Sequence, residues 1–137
     1  MIRRIILITV VISLAGCSRA RPEPHPVAGK VLFNGRPIAD AMVTLHSVKN
    51  DVTPMPIAYT RADGQFDVSW LKQGDGAPVG EYAVTITWRQ LVQRGEEKER
   101  SGRNQLPAHY ADPQKTPWRC IIKPGKNVLP VHEIKGS

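Results

Sequence analysis

The side chains able to do acid–base or metal chemistry are few and far apart. The four histidines, His25, His46, His109 and His132, include no two at the spacing of a metal-ligand pair such as His-x₃-His. The two cysteines, Cys17 and Cys120, stand at opposite ends of the chain, so neither a metal site nor a cofactor is expected. Asp63-Gly64 has the look of a calcium loop's start, but the alternating acidic ligands and the closing glutamate are missing. It reads as a turn. Cys120 shares a strand face with Trp118 and Ile122, which makes it a buried apolar thiol, and no histidine stands near it in sequence to lower its pKa. Pairing with a second chain is the alternative, since Cys120 has no partner within the chain once Cys17 is otherwise used. No catalytic residue is assigned. The combination that would speak for an enzyme is convergence of His109, Tyr110 and His132 in one pocket with perturbed titration.

The other cysteine has a different chemistry. Arg3 and Arg4 precede an apolar run from Ile5 to Leu14, too short to span a bilayer, and the run closes on Leu14-Ala15-Gly16-Cys17. This ending resembles a bacterial lipobox. The resemblance implies cleavage between Gly16 and Cys17, lipid on the Cys17 thiol and acylation of the new amino terminus, a stable anchor because each buried methylene contributes about 0.8 kcal/mol and several chains act together. Residues 1–16 are then a signal peptide, and 17–26 a lipidated cysteine and tether. With Pro22, Pro24 and Pro26 alternating, the tether is expected to be extended and unpaired, holding the domain off the membrane.

What must position everything else is a set of strands over 27–135. Val27 to Phe33 alternates and stops at the turn pair Asn34-Gly35, and Ala41, Val43 and Leu45 alternate after it. Ile57 to Trp70 predicts a hairpin. If Asp63-Gly64 form a two-residue turn with φ > 0 at both positions, Tyr59 faces Val68 and Ile57 faces Trp70 on the apolar side, leaving Ala58, Thr60, Gln65, Asp67 and Ser69 outside. Glu81 to Trp88 reads as a central strand with Tyr82, Val84, Ile86 and Trp88 inward. Residues 89–105 mix so many charges of both signs that they are expected to form a mobile loop outside the core. Trp118 to Lys123 and Val128 to Ile134 finish the chain, Pro130 confining the last strand to an edge or a bulge. About seven short strands and no amphipathic helix predict an all-β fold, a single antiparallel Greek-key-like sandwich.

Taken in order, Gly29-Lys30-Val31, Asn34-Gly35, Pro37-Ile38-Ala39-Asp40-Ala41-Met42-Val43, Ala62-Asp63-Gly64-Gln65-Phe66 and Pro78-Val79-Gly80-Glu81-Tyr82-Ala83-Val84 resemble the carboxypeptidase regulatory-like domain of the prealbumin (transthyretin-like) sandwich fold. Leu106-Pro107-Ala108-His109-Tyr110-Ala111-Asp112-Pro113, with the lipobox, is similar to small planctomycete-type secreted lipoproteins. Gly80-Glu81-Tyr82 resembles the corner of sandwich folds in which a tyrosine hydroxyl bonds back to upstream backbone, which implies a fold role for Tyr82. The ending Ile134-Lys135-Gly136-Ser137 only partly matches the Tyr-Arg-Gly-Ser ending of hydroxyisourate hydrolases, which share the fold. Their histidine-led motif near the domain start is replaced by Val27-Ala28-Gly29-Lys30.

The formal net charge is +7, yet the basic residues are scattered or interleaved with glutamate, and no aromatic platform accompanies them. A nucleic-acid partner is therefore not expected. The expectation is a non-catalytic binding or structural module in the bacterial envelope, in the periplasm or at the cell surface, held to membrane lipid through acylated Cys17. An envelope protein or acidic polysaccharide is the partner that charge permits. The alternative is a small periplasmic enzyme, hydroxyisourate hydrolase-like.

Overall fold

The computed structural model describes residues 21–136, and Gly16 besides. The fold is all-β, two sheets packed face to face. One sheet has the order β11 (Arg119–Ile122), β8 (Gly80–Thr87), β4 (Met42–Ser47), β5 (Ile57–Tyr59), every contact antiparallel. The other is built around β2 (Val27–Phe33). On one edge it carries β3 (Arg36–Pro37) and β6 (Gln65–Asp67), both antiparallel; on the other run β12 (Asn127–Val128) and β13 (His132–Ile134), both parallel. The first long strand and the last thus lie side by side in the same direction. Pro130 falls in the break between β12 and β13, where no ladder bond is required of it.

Val43, Leu45, Tyr82, Val84, Ile86 and Ile122 from the first sheet meet Val31, Phe66, Val68 and Ile134 from the second, all fully buried. Each such side chain contributes about 1.5–3 kcal/mol of transfer free energy. The three ion pairs among the described residues, Arg61–Asp67, Arg94–Glu99 and Arg100–Asp40, lie at the surface, where a pair is worth about 0–1 kcal/mol. Apolar burial therefore dominates, and the buried apolar set runs from Val27 to Ile134.

The Ile57–Trp70 segment departs from the expected register. Ile57 pairs with Ser69, not Trp70: each donates its N–H to the other's carbonyl, at 2.9 and 2.8 Å. The loop has three residues. Gly64 N–H donates to Arg61 O and Arg61 N–H to Gln65 O, both at 2.8 Å, and only Gly64 (φ +78°), not Asp63, takes positive φ. Asp63 instead accepts the Gln65 N–H on its carboxylate at 3.0 Å, a bond that favours this turn over the two-residue form. The shift inverts the first arm: Ala58 and Thr60 are buried, and Tyr59 is exposed. Two facts explain it. The arms belong to different sheets, so the hairpin crosses a corner of the sandwich where small side chains fit and Ile57 and Tyr59 do not. The inward hydroxyl of Thr60 is also satisfied, accepting the Ala41 N–H at 2.9 Å. Trp70 turns away, its indole N–H donating to Pro54 O at 2.9 Å.

Two further expectations are corrected. Residues 89–105 are not a loop, because they fold back as a hairpin of β9 (Gln90–Arg94) and β10 (Glu97–Ser101) around Gly95-Glu96, in which only Gly95 has positive φ (+64°). The charges alternate on a ribbon exposed on both faces, so none has to be buried. The tether, in turn, is paired at its end: β1 (Pro24–His25) forms a short antiparallel ladder with β7 (Ala77–Pro78). Prolines are tolerated there because a two-residue ladder asks few N–H donors of them. Gly76 lies so close that a Cβ at that position would collide with the His25 carbonyl. Gly125 N–H donates to His25 Nδ1 at 3.1 Å, and Asn127 N–H to Pro26 O at 2.8 Å.

Candidate functional site

The loop from Leu106 to Trp118, which includes a 3₁₀ turn at Ala108–Ala111, lays side chains against the open side of the sandwich between β8 and β13. Pro107 and Pro113 set its path, and Thr116 fixes its end by donating its hydroxyl to Val84 O at 2.7 Å. The result is a ladder of rings. His109 lies over Tyr110 (centroids 4.0 Å apart), Tyr110 stacks on Trp118 (4.8 Å, 20°), and Trp118 meets His132 edge-on (4.8 Å, 85°). Phe66 closes the inner end, 6.3 Å from the His132 ring. His109, Tyr110 and His132 thus converge, joined by Trp118, which the sequence places on one strand face with Cys120 and Ile122.

The two imidazoles sit in opposite environments. His109 is exposed, whereas His132 is 4% exposed and its Nδ1 has no hydrogen-bond partner. Burial pushes the His132 pKa down to about 4, and the Lys30 backbone only partly opposes this. A neutral ring sealed beneath Trp118 can fill space and stack; a general base must reach a substrate proton. His46 Nε2 and Thr85 Oγ1 lie 2.8 Å apart on neighbouring strands, but the threonine is buried and burial lowers the histidine's pKa. Among the described residues no carboxylate pairs with a histidine to orient it, and no group of three or more metal-ligating side chains forms.

A second constellation lies at the root of the β9–β10 hairpin. The Arg100 guanidinium sits 3.8 Å above the Tyr59 ring and 3.8 Å from Asp40, tying the ribbon to β5. Arg89 reaches across the ribbon to donate to Gly102 O at 2.6 Å. Met42, Tyr59, Thr87, Arg89 and Arg100 line a concavity of about 250 Å³ here. On the other side of Tyr59, where β5 and β6 part for their two sheets, a shallow cleft of about 640 Å³ contains the Arg61–Asp67 pair. Nothing in the sequence pairs Arg100 with Tyr59, because the contact depends on how the ribbon folds back.

The residues singled out by sequence are placed as follows. Cys17 lies outside the described residues, and Gly16 is exposed. Asn34 (φ 50°) and Gly35 (φ 79°) form the turn between β2 and β3. The Tyr82 hydroxyl donates to Pro78 O at 2.8 Å within the core, and burial foremost, then Asp51 and Cys120, push its pKa up to about 12. Cys120 is half-buried, and burial raises its thiol to about 11, which leaves it protonated and weakly nucleophilic at neutral pH. No family model, no curated protein and no solved structure matches this chain.

Proposed function

We propose that the chain is a membrane-anchored lipoprotein of the bacterial envelope whose β-sandwich, of the carboxypeptidase regulatory-like kind, serves as a non-catalytic binding or structural module. The observation that carries this reading is the sequence Leu14-Ala15-Gly16-Cys17 behind a basic and apolar leader, with a complete sandwich beginning a few residues later. A lipid on Cys17 accounts for the leader, the cysteine and the proline-rich spacer together. Support for a binding rather than a catalytic role comes from the ring ladder, whose one strongly shifted imidazole is sealed from solvent, and from Cys120, whose thiol is held in its protonated form.

The test is Cys17→Ser in a bacterial host fed a fatty-acid probe. The unaltered precursor is expected to take up label and be shortened by its leader, and the variant to do neither. Equal labelling of the two would sink the reading. The convergence of His109, Tyr110 and His132 is the one observation that favours the rival, a small hydrolase. Turnover of hydroxyisourate that is lost in His109→Ala would establish that rival.

A further inference from the structure

The chain enters the sandwich at one end, where β1, β7, the start of β8, the end of β11 and β12 meet. Pro24 pairs with Pro78, Ile122 with Gly80, and Asn127 with Val27. The two most exposed large apolar side chains among the described residues, Val128 (71%) and Ile121 (64%), flank one concavity of about 430 Å³, and Val79 (53%) projects from the adjoining start of β8. Arg119 and Lys123 line the same concavity with a single carboxylate, Glu81, and Lys126 stands in the turn that joins β11 to β12. Branched aliphatics amid basic side chains, with Ile121 on the outward face of edge strand β11 and Val79 and Val128 at strand ends, are the composition of a surface that meets a bilayer's headgroup layer.

The length of chain outside the fold points to the same occupant. Because His25 and Pro26 are clamped by Gly125 and Asn127, Cys17 can lie at most about 25 Å, the fully extended length of the intervening chain, from Pro24, the first paired residue among the described ones. A lipid on Cys17 would keep the entry end, not the β9–β10 ribbon, nearest the membrane.

We propose that this end is a membrane-docking face: Val128, Ile121 and Val79 enter the headgroup region of an anionic bilayer while Lys123, Lys126 and Arg119 contact its phosphates. The tether-length step rests on lipid attachment at Cys17; the apolar and basic composition of the face does not. A fragment of residues 21–137, which holds every strand among the described residues and no Cys17, separates the two.

The experiment is co-sedimentation of that fragment with phosphatidylcholine vesicles, with and without phosphatidylglycerol, at low salt. Binding is expected only to the anionic vesicles. It should weaken about tenfold or more in the Lys123→Glu/Lys126→Glu variant, since each basic residue near such a surface contributes severalfold, and severalfold in Ile121→Ser/Val128→Ser. The Lys98→Glu/Arg103→Glu variant makes the same change of charge elsewhere and should lose less than about twofold. No binding, an equal loss in Lys98→Glu/Arg103→Glu, or an unaffected Lys123→Glu/Lys126→Glu variant would overturn the proposal. So would a concentration-dependent dimer abolished by Val128→Ser, which would make a second copy the occupant. Failed fatty-acid labelling of Cys17 would leave this result standing.

Discussion

His132 shows how a single residue can combine a packing role with a stability cost. It lies on the last strand with Trp118 at its edge and Phe66 behind it, one ring nitrogen without a partner. Its pKa in the fold is about 4, against 6.5 when unfolded, so the unfolded chain binds the proton more readily in between. The stability it contributes is complete above about pH 6.5 and is lost as pH falls toward 4, by up to about 3 kcal/mol in all. His46, lowered for the same reason, adds to the slope. Thermal unfolding of residues 21–137 between pH 8 and pH 4 should therefore show a falling melting temperature that His132→Phe flattens. An unchanged slope in that variant would mean that the ring takes up its proton as readily in the folded chain as in the unfolded one. The sequence placed His132 on a terminal strand and could not show its burial, because burial depends on the loop of residues 106–118 folding across it.

At the scale of elements, the strand positions were legible and one register was not. The alternations in Met42–Ser47 and Gly80–Thr87 are strong because the large apolar side chains of each strand share the core face, while the small Thr44, Ala83 and Thr85, buried as well, take the other. The Ile57–Trp70 segment misleads because its arms serve two sheets, so a local rule about facing pairs no longer applies. What survives is the demand on Gly64. Its φ of +78° disfavours any β-branched residue, and a Cβ there would stand 2.5 Å from the Val31 carbonyl oxygen. Gly64→Val should cost about 2–4 kcal/mol, combining left-handed strain with displacement of β2. Gly35→Ala, at φ +79° but with open space around it, should cost only about 1 kcal/mol. Denaturant unfolding of the two variants measures the difference; equal costs would show that the contact with β2 is relaxed rather than rigid.

Over the whole molecule, the charged β9–β10 ribbon is an appendage to a sandwich that closes without it. Its strands pair only with each other, and all its residues from Gln90 to Glu99 are exposed. Its ties back to the body run through Arg100, to the Tyr59 ring and to Asp40, and through Asn104, whose side-chain Oδ1 accepts the Trp88 N–H at 2.9 Å. The mixed charges of 89–105 correctly place this stretch outside the core. They hide its strand character because a ribbon wet on both faces carries no apolar alternation. Replacing Gln90–Ser101 by a short Gly-Ser link removes the Arg100 contact and leaves the apolar core and the Asn104 bond in place. Shortening the connection changes its closure entropy by only about 0.6 kcal/mol per halving of length. The shortened fragment should keep one cooperative unfolding transition, with a loss of about 1 kcal/mol assigned to the cation–π and ion-pair contact. Arg100→Ala in the intact fragment should reproduce that loss. If the deletion abolishes cooperative melting while Arg100→Ala does not, the ribbon supports the β5–β8 side of the sandwich through its backbone and belongs to the folding unit.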